Sequence, residues 1–285
     1  MTVIVPVYNG EKTIGACLGS LINQSYPKDR YEIIAVDNAS KDMTARIVHA
    51  YPVKYVFEGS KQSSYAARNA GQRQARGEIL AFTDADCIVS PDWIRDGIDG
   101  FAESGAEVLG VAGTIRGFEP ESRVEAYLLE RDPVKHSVKN RFLPFAVTAN
   151  VFYKREVFDK IGPFEEWTSG GDADFSWRVQ LGGYQMRFLP NAAVFHRHRS
   201  TVNGMFKQFL KFGYGNAQLS KKYRQRLGSG SQTGLTNPVT GRVKRRRRGP
   251  LHYDALASFG WKIGRVVGHF RPELSLRGAA APGPA

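Results

Sequence analysis

The stretch Gly77-Glu78-Ile79-Leu80-Ala81-Phe82-Thr83-Asp84-Ala85-Asp86 decides the fold. Ile79 to Thr83 are small or non-polar in unbroken succession, the composition of a strand buried on both faces. That strand runs straight into two carboxylates at i and i+2. In an extended chain residues so spaced point the same way, so both can face one cation. An acidic pair at the end of a core strand is costly unless positive charge meets it. Oxygen ligands suit a hard divalent ion that keeps waters and takes further oxygens from phosphate. Strand ends are also where open α/β sheets bind ligands. One reading is a metal-and-diphosphate site; the other is a solvated turn before Pro91 whose carboxylates cap a helix.

Working outward, Thr2-Val3-Ile4-Val5-Pro6-Val7 is a second β-branched run, ending in Tyr8-Asn9-Gly10. Ile14, Cys17, Leu18, Leu21 and Ile22 follow at helical spacing. Glu32 to Val36 reads as a third strand and delivers Asp37-Asn38-Ala39-Ser40 at its end. A helix from Met43 to Tyr51, a strand from Val53 to Phe57 and a helix from Ser63 to Arg76 lead into the Asp84 strand. Such alternation predicts crossover units and a mostly parallel sheet. Asn9, Asp37, Asp84 and Asp86 all lie just past strand ends, so a parallel sheet would gather them on one edge.

Five motifs now stand in order: Pro6-Val7-Tyr8-Asn9, Val36-Asp37-Asn38-Ala39-Ser40, Ala67-Arg68-Asn69-Ala70-Gly71, Asp84-Ala85-Asp86, and Gly170-Gly171-Asp172-Ala173-Asp174-Phe175-Ser176-Trp177-Arg178. Together they resemble the family-2 glycosyltransferases across about residues 1–215. The resemblance implies the α/β fold called GT-A, with a mixed, mostly parallel sheet flanked by helices. It implies a nucleotide-sugar donor, a carbohydrate or glycolipid acceptor, and Mn²⁺ or Mg²⁺ as cofactor. Residues 1–115 would form the donor half, 116–215 the acceptor and catalytic half, and 216–285 a basic C-terminal extension.

The same resemblance implies roles for single residues. Asp37 would accept hydrogen bonds from the nucleobase, in a pocket shaped by Pro6, Tyr8, Asn9 and Glu11. Arg68 would lie near the diphosphate or hold the loops around it. Asp84 would touch ribose or metal, and Asp86 would bind the metal directly. Asp172 would be the base that deprotonates an acceptor hydroxyl as it attacks the anomeric carbon, a single inverting displacement. The family usually has Gly-Glu-Asp here, and Gly171 replaces the Glu, which puts acceptor recognition in question. His196, after the apolar run Ala192 to Phe195, is a candidate metal or diphosphate ligand; Arg197 and Arg199 could meet the diphosphate instead. Trp167 could offer its face to a sugar ring.

Plainer readings stand beside these. Asp37 to Ser40 could be a turn with Asx-type hydrogen bonds. Arg68 could be a helix-surface charge, Asp172 a helix cap, and His196 a hydrogen-bonded structural residue. Asp174 and Arg178, at i and i+4, read as a helical salt bridge rather than as catalysts. A nucleotidyltransferase would share the fold but calls for a Gly-rich basic loop where Tyr8-Asn9-Gly10-Glu11 stands. Retained Asp84, Asp86 and Asp172 argue against a non-catalytic binding protein. A polyprenyl-phosphate acceptor would need no base. No Gln-x-x-Arg-Trp motif points to a processive synthase.

Composition adds the rest. A chain of 285 residues, 42% hydrophobic, can bury a large core, and no apolar run reaches the roughly 20 residues that span a bilayer. The first strand begins at Thr2, leaving no room for a signal peptide, and two cysteines suggest free thiols rather than a disulfide framework. The expectation is a catalytic domain facing the cytoplasm. Residues 1–195 hold 22 Lys/Arg against 25 Asp/Glu, whereas residues 196–285 hold 18 against 2. The excess includes the run Lys244 to Arg248 within a Gly/Ser-rich segment read as a flexible loop, and Gly278 to Ala285 reads as disordered. Met205 to Phe212 and Leu256 to Phe270 read as amphipathic helices, the latter for a membrane surface or for docking. This charge would suit an anionic membrane surface or be merely solvated; nucleic acid is disfavoured because no groove-reading motif accompanies it.

Overall fold

The computed structural model describes residues 1–102, 104–131, 142–227 and 251–270. The basic run Lys244 to Arg248, its surrounding loop and the last residues after 270 lie outside them. The first half alternates strand and helix: β1 Thr2–Val7, α1 Ile14–Ile22, β2 Glu32–Asp37, α2 Thr44–His49, β3 Lys54–Phe57, α3 Ser64–Gln74 and β4 Ile79–Thr83. Then come β5 Cys87–Val89, α4 Trp93–Ala102, β6 Val108–Gly117, α5 Arg123–Arg131, β7 Asn150–Lys154, α6 Glu156–Ile161, α7 Gly171–Leu181 and β8 Gln185–His196. Helices α8 Val202–Lys222, α9 Arg224–Leu227 and α10 Leu251–Phe270 complete the order.

The strands form one sheet in the order β3-β2-β1-β4-β7-β6-β8-β5. The pairs β1–β2, β1–β4, β2–β3 and β6–β8 are parallel, whereas β4–β7, β6–β7 and β5–β8 are antiparallel. The mixed sheet follows the expectation, with its antiparallel pairs all at or beyond β4.

Both faces of the sheet are covered. Val3, Val5 and Val7 of β1 join Ile14, Leu18 and Leu21 of α1 and Trp93 of α4 in one core. Ile4, between them, joins Tyr65 and Ala70 of α3, Phe158 of α6 and Phe175 of α7 in the other. This period of two, apolar on both faces, is why the strands read as unbroken hydrophobic runs. The small residues in Ala67-Arg68-Asn69-Ala70-Gly71 bring α3 close to the sheet, since a Cβ at Gly71 would meet Ile4 Cγ2 at 2.6 Å. Within the second half, Asn150 accepts from Trp93 Nε1 at 2.8 Å and donates to the Thr114 and Ala192 carbonyls, both at 2.8 Å. One amide thereby ties β7, β6, β8 and α4 together.

The C-terminal helices do not form a separate unit. Helix α8 runs unbroken through the boundary expected at residue 215, and α10 lies along it. Tyr253, Ala257 and Trp261 are buried with Met205 and Phe209 of α8 and Tyr127 and Leu128 of α5. Gly213 faces the Trp261 carbonyl and Gly264 the Leu210 carbonyl with no room for a Cβ, so the two backbones touch. Of the two uses left open for the last helix, docking is what the structure shows, while Phe259 and Val266 stay exposed on its outer side. Among the described residues no helix is long and apolar enough to cross a membrane.

Candidate active site

The C-terminal ends of β1, β2 and β4 open on a cleft of about 940 Å³. Its first wall is the loop after β1. Asn9 adopts a left-handed conformation (φ 48°) that turns its amide toward the loop after β2. Its side-chain oxygen accepts from the Lys41 backbone N–H at 2.8 Å, and its own N–H donates to Ser40 Oγ at 2.9 Å. Glu11 closes the seam by accepting from the Met43 N–H at 3.2 Å. Pro6, Tyr8, Asn9 and Glu11 therefore line the cleft together, with Lys12 and Lys41 beside them.

Asp37 does not reach that wall. It is 2% exposed, and its carboxylate accepts from the Ser40 N–H at 2.9 Å and the Tyr55 hydroxyl at 3.0 Å. Burial and this hydrogen bond push the Tyr55 hydroxyl up to about 12, so it stays a donor. These are the hydrogen bonds of the turn reading: Asp37 fixes the loop that Asn9 grips. Trp167 also lies outside the cleft wall, against Trp177, Leu219 and Tyr223, with Lys222 Nζ 5.4 Å from its ring centre.

The second wall is the turn between β4 and β5. Asp84-Ala85-Asp86 is not extended: the Cys87 N–H closes back on the Asp84 carbonyl at 3.0 Å. The two carboxylates line the cleft but take different partners, contrary to the shared face inferred from an extended chain. Asp84 is ion-paired to the buried Arg68 guanidinium, which lies 5.2 Å from the Tyr65 ring centre. Arg68 thus holds the turn from below instead of sitting on a helix surface. Asp86 meets His196 Nε2 at 3.6 Å and Arg199 at 3.5 Å. The register explains this, because β5 pairs antiparallel with β8 and sets Cys87 opposite His196. Arg197 points elsewhere, toward Glu121 at 3.8 Å and the Phe118 ring.

The third wall carries Asp172 in the first turn of α7. Gly170, with φ 84°, starts that helix in a conformation that L side chains rarely adopt. Asn69 of α3 clamps the preceding loop by donating to the Phe164 carbonyl at 2.9 Å and accepting from its N–H at 3.0 Å. Asp172 accepts from the Tyr65 hydroxyl at 3.1 Å and from the Ala173 N–H at 2.9 Å. Its enclosed position raises its pKa, which makes it a stronger base; the Ala173 N–H, Arg68 and Tyr65 pull the other way. A Cβ at Gly171 would stand 3.0 Å from the Tyr65 ring, so the Glu expected there has no room and Tyr65 fills its place. Tyr65 was not foreseen from the sequence. Asp174, by contrast, is fully buried between Arg178 at 2.8 Å, Lys222 at 2.7 Å and the Tyr223 hydroxyl at 2.8 Å, a structural hub as expected.

The expected ligand trio Asp84, Asp86 and His196 is not one cluster: among the described residues no three His, Cys, Asp or Glu side chains converge for a metal. Asp86 and His196 do face each other, and His196 Nδ1 is buried without a hydrogen-bond partner. A carboxylate and an imidazole fit a divalent ion that takes its remaining ligands from water and phosphate. Cys17 and Cys87, both buried and free, lie behind this turn, where burial pushes their thiols up.

The sequence profile of glycosyl transferase family 2 matches residues 2–162. Glycosyltransferase AglE of Haloferax volcanii is 33% identical over 77% of this chain and 73% of its own. A Methanococcus voltae enzyme is 24% identical over 78% of this chain and 74% of its own; its name describes transfer to dolichyl N-acetylglucosaminyl phosphate. A mannosyltransferase from Pyrobaculum calidifontis, solved with GDP-Man and Mn²⁺, superposes with a TM-score of 0.66. It is 19% identical, over 96% of this chain and 87% of its own.

Proposed function

The chain belongs to glycosyl transferase family 2 and has the GT-A fold, and from that premise we propose a metal-dependent, inverting transfer of a sugar from a nucleotide-sugar to an acceptor hydroxyl. One observation carries the reading: a single cleft is lined both by the carboxylate turn Asp84–Asp86 and by Asp172, a carboxylate whose enclosure makes it more basic. A nucleotidyltransferase or a non-catalytic scaffold is set aside by the family.

The donor would lie along the β1 and β2 loops, its diphosphate toward Asp86, Arg199 and Lys12. Tyr8, half exposed at the mouth, offers its ring to the nucleobase. Asp86 and His196 would hold Mn²⁺ or Mg²⁺, which when bound neutralises charge on the departing diphosphate. Arg68 keeps Asp84 and its turn in place beneath that diphosphate. Asp172 takes the proton of the acceptor hydroxyl as the new C–O bond forms and the bond to the diphosphate breaks. That general-base step is worth roughly 10²–10⁴-fold. Tyr65 orients the carboxylate. Attack opposite the leaving group gives inversion in a single displacement.

For the acceptor, the similarity to enzymes of glycan and glycolipid assembly supports a role in cell-envelope polysaccharide or glycolipid synthesis. The positive charge after residue 195 supports a peripheral position on the cytoplasmic face of an anionic membrane. A panel of nucleotide-sugars, incubated with Mn²⁺, Mg²⁺ or chelator, tests the proposal. One donor should be hydrolysed or transferred only with metal, Asp86→Ala should abolish that activity while folding normally, and product NMR should show the inverted anomer. Metal-independent turnover, equal activity in Asp86→Ala, or a retained anomer would contradict it.

A further inference from the structure

One face of α8 forms the side of the cleft away from the nucleotide loops, and it brings a cation and an unpartnered amide oxygen. Gln208, Lys211 and Phe212 stand at i, i+3 and i+4 and all line the cleft, with Trp261 of α10 beside them. Gln208 Oε1 is buried without a hydrogen-bond partner, an acceptor that suits a ligand hydroxyl and not a phosphate oxygen. Lys211 has no ion pair among the described residues, and the charges acting on it, Arg199 and Lys207, are both positive. Two like charges are costly to hold together without an anion between them.

The chemistry around Lys211 is not that of the donor pocket. Phe212, Trp261, Phe145 and Val147 make this part of the cleft aromatic and aliphatic. A cation beside an apolar wall matches a molecule with a phosphate head and a hydrocarbon tail. Arg199 bridges the regions, since it also reaches Asp86 at 3.5 Å.

We infer that Lys211, assisted by Arg199, forms an acceptor subsite that binds the phosphate of an amphiphilic acceptor, a sugar carried on a lipid phosphate, whose chain lies against Phe212 and Trp261. This deepens the proposed transfer and rests on it: a hydroxyl of the acceptor's sugar reaches Asp172 while Lys211 anchors the phosphate on the α8 side.

Titration calorimetry in metal-free buffer with decyl phosphate below its micellar concentration, decanol and inorganic phosphate tests the subsite. UDP and GDP with Mn²⁺ form a separate arm. Decyl phosphate should bind the wild type at least about tenfold tighter than either decanol or inorganic phosphate, since charge and apolar wall both contribute. Lys211→Met should weaken decyl phosphate about tenfold or more, the loss expected for one charge-assisted hydrogen bond, and Lys211→Arg should recover most of it. The nucleotide arm should be unchanged in both variants, which also shows that they fold. Decyl phosphate bound equally by Lys211→Met, or no tighter than inorganic phosphate, overturns the subsite. An equal loss in the nucleotide arm overturns it too, by giving Lys211 to the donor. The arms separate the two readings: a wild type that binds decyl phosphate but neither nucleotide sinks the transferase proposal and leaves the subsite standing.

Discussion

Tyr65 performs two tasks with one side chain: its ring fills the space above Gly171, and its hydroxyl holds Asp172 at 3.1 Å. As base, Asp172 must be unprotonated, so kcat/KM should fall as pH drops through its raised pKa. Because the Tyr65 hydroxyl stabilises the carboxylate, its removal raises that pKa further. Tyr65→Phe should therefore move the acidic limb of the pH–kcat/KM profile to higher pH, with donor affinity unchanged. A limb left in place, with activity merely scaled, would assign Tyr65 to packing alone. Nothing local in the sequence marks this contact, which joins residues 107 apart; only its place three residues before Arg68 on α3 hints that the two share a face. Asp172 was legible from its motif because short spacing carries chemistry. Asp37 keeps two readings in the sequence because a buried turn former and a base-binding carboxylate occupy the same sequence position, just past a strand; the structure shows the hydrogen bonds of the first.

At the scale of elements, β1, β2 and β4 were legible because each is apolar on both faces, and β1 and β4 fall on the expected residues. The β4–β5 turn was not, since an i, i+2 pair looks alike in an extended chain and in a tight turn. Helix α10 shows a similar ambiguity: an aromatic stripe serves a bilayer or a neighbouring helix equally well. What decides is the spacing of Gly260, Gly264 and Gly268, which face Phe206, Leu210 and Tyr214 of α8, the last two across contacts too close for a Cβ. Gly264→Leu should wedge the helices apart, costing about 1–3 kcal/mol as overpacked sites do, and lower the melting temperature in thermal denaturation. An unchanged melting temperature would mean that α10 contributes little to the folded core. The same contact makes truncation before α10 a poor test of the tail's charge, because it would uncover Met205 and Phe209.

Across the whole molecule, two halves of one sheet meet at the cleft: loops after β1, β2 and β4 line one side, and the loop before α7 brings Asp172 to it. Charge is divided differently, with the excess of cations after residue 195. Replacing Lys244 to Arg248 by Gln leaves every residue of the cleft untouched. Each basic residue near an anionic surface contributes about 1 kcal/mol, so this variant should sediment less with anionic vesicles, most clearly at low salt. Equal sedimentation would mean that the run is only solvated. The account's central claim is that the cleft runs general-base transfer through Asp172, and Asp172→Asn isolates it. Asn keeps the size and hydrogen bonds but cannot take the proton. It also removes a carboxylate whose raised folded-state pKa costs stability once pH exceeds its unfolded value, so the variant should melt no lower than wild type at neutral pH. The decisive measurement is turnover of this variant at saturating donor. A fall of at least about 10²-fold is the expected result; near-normal turnover would contradict the account.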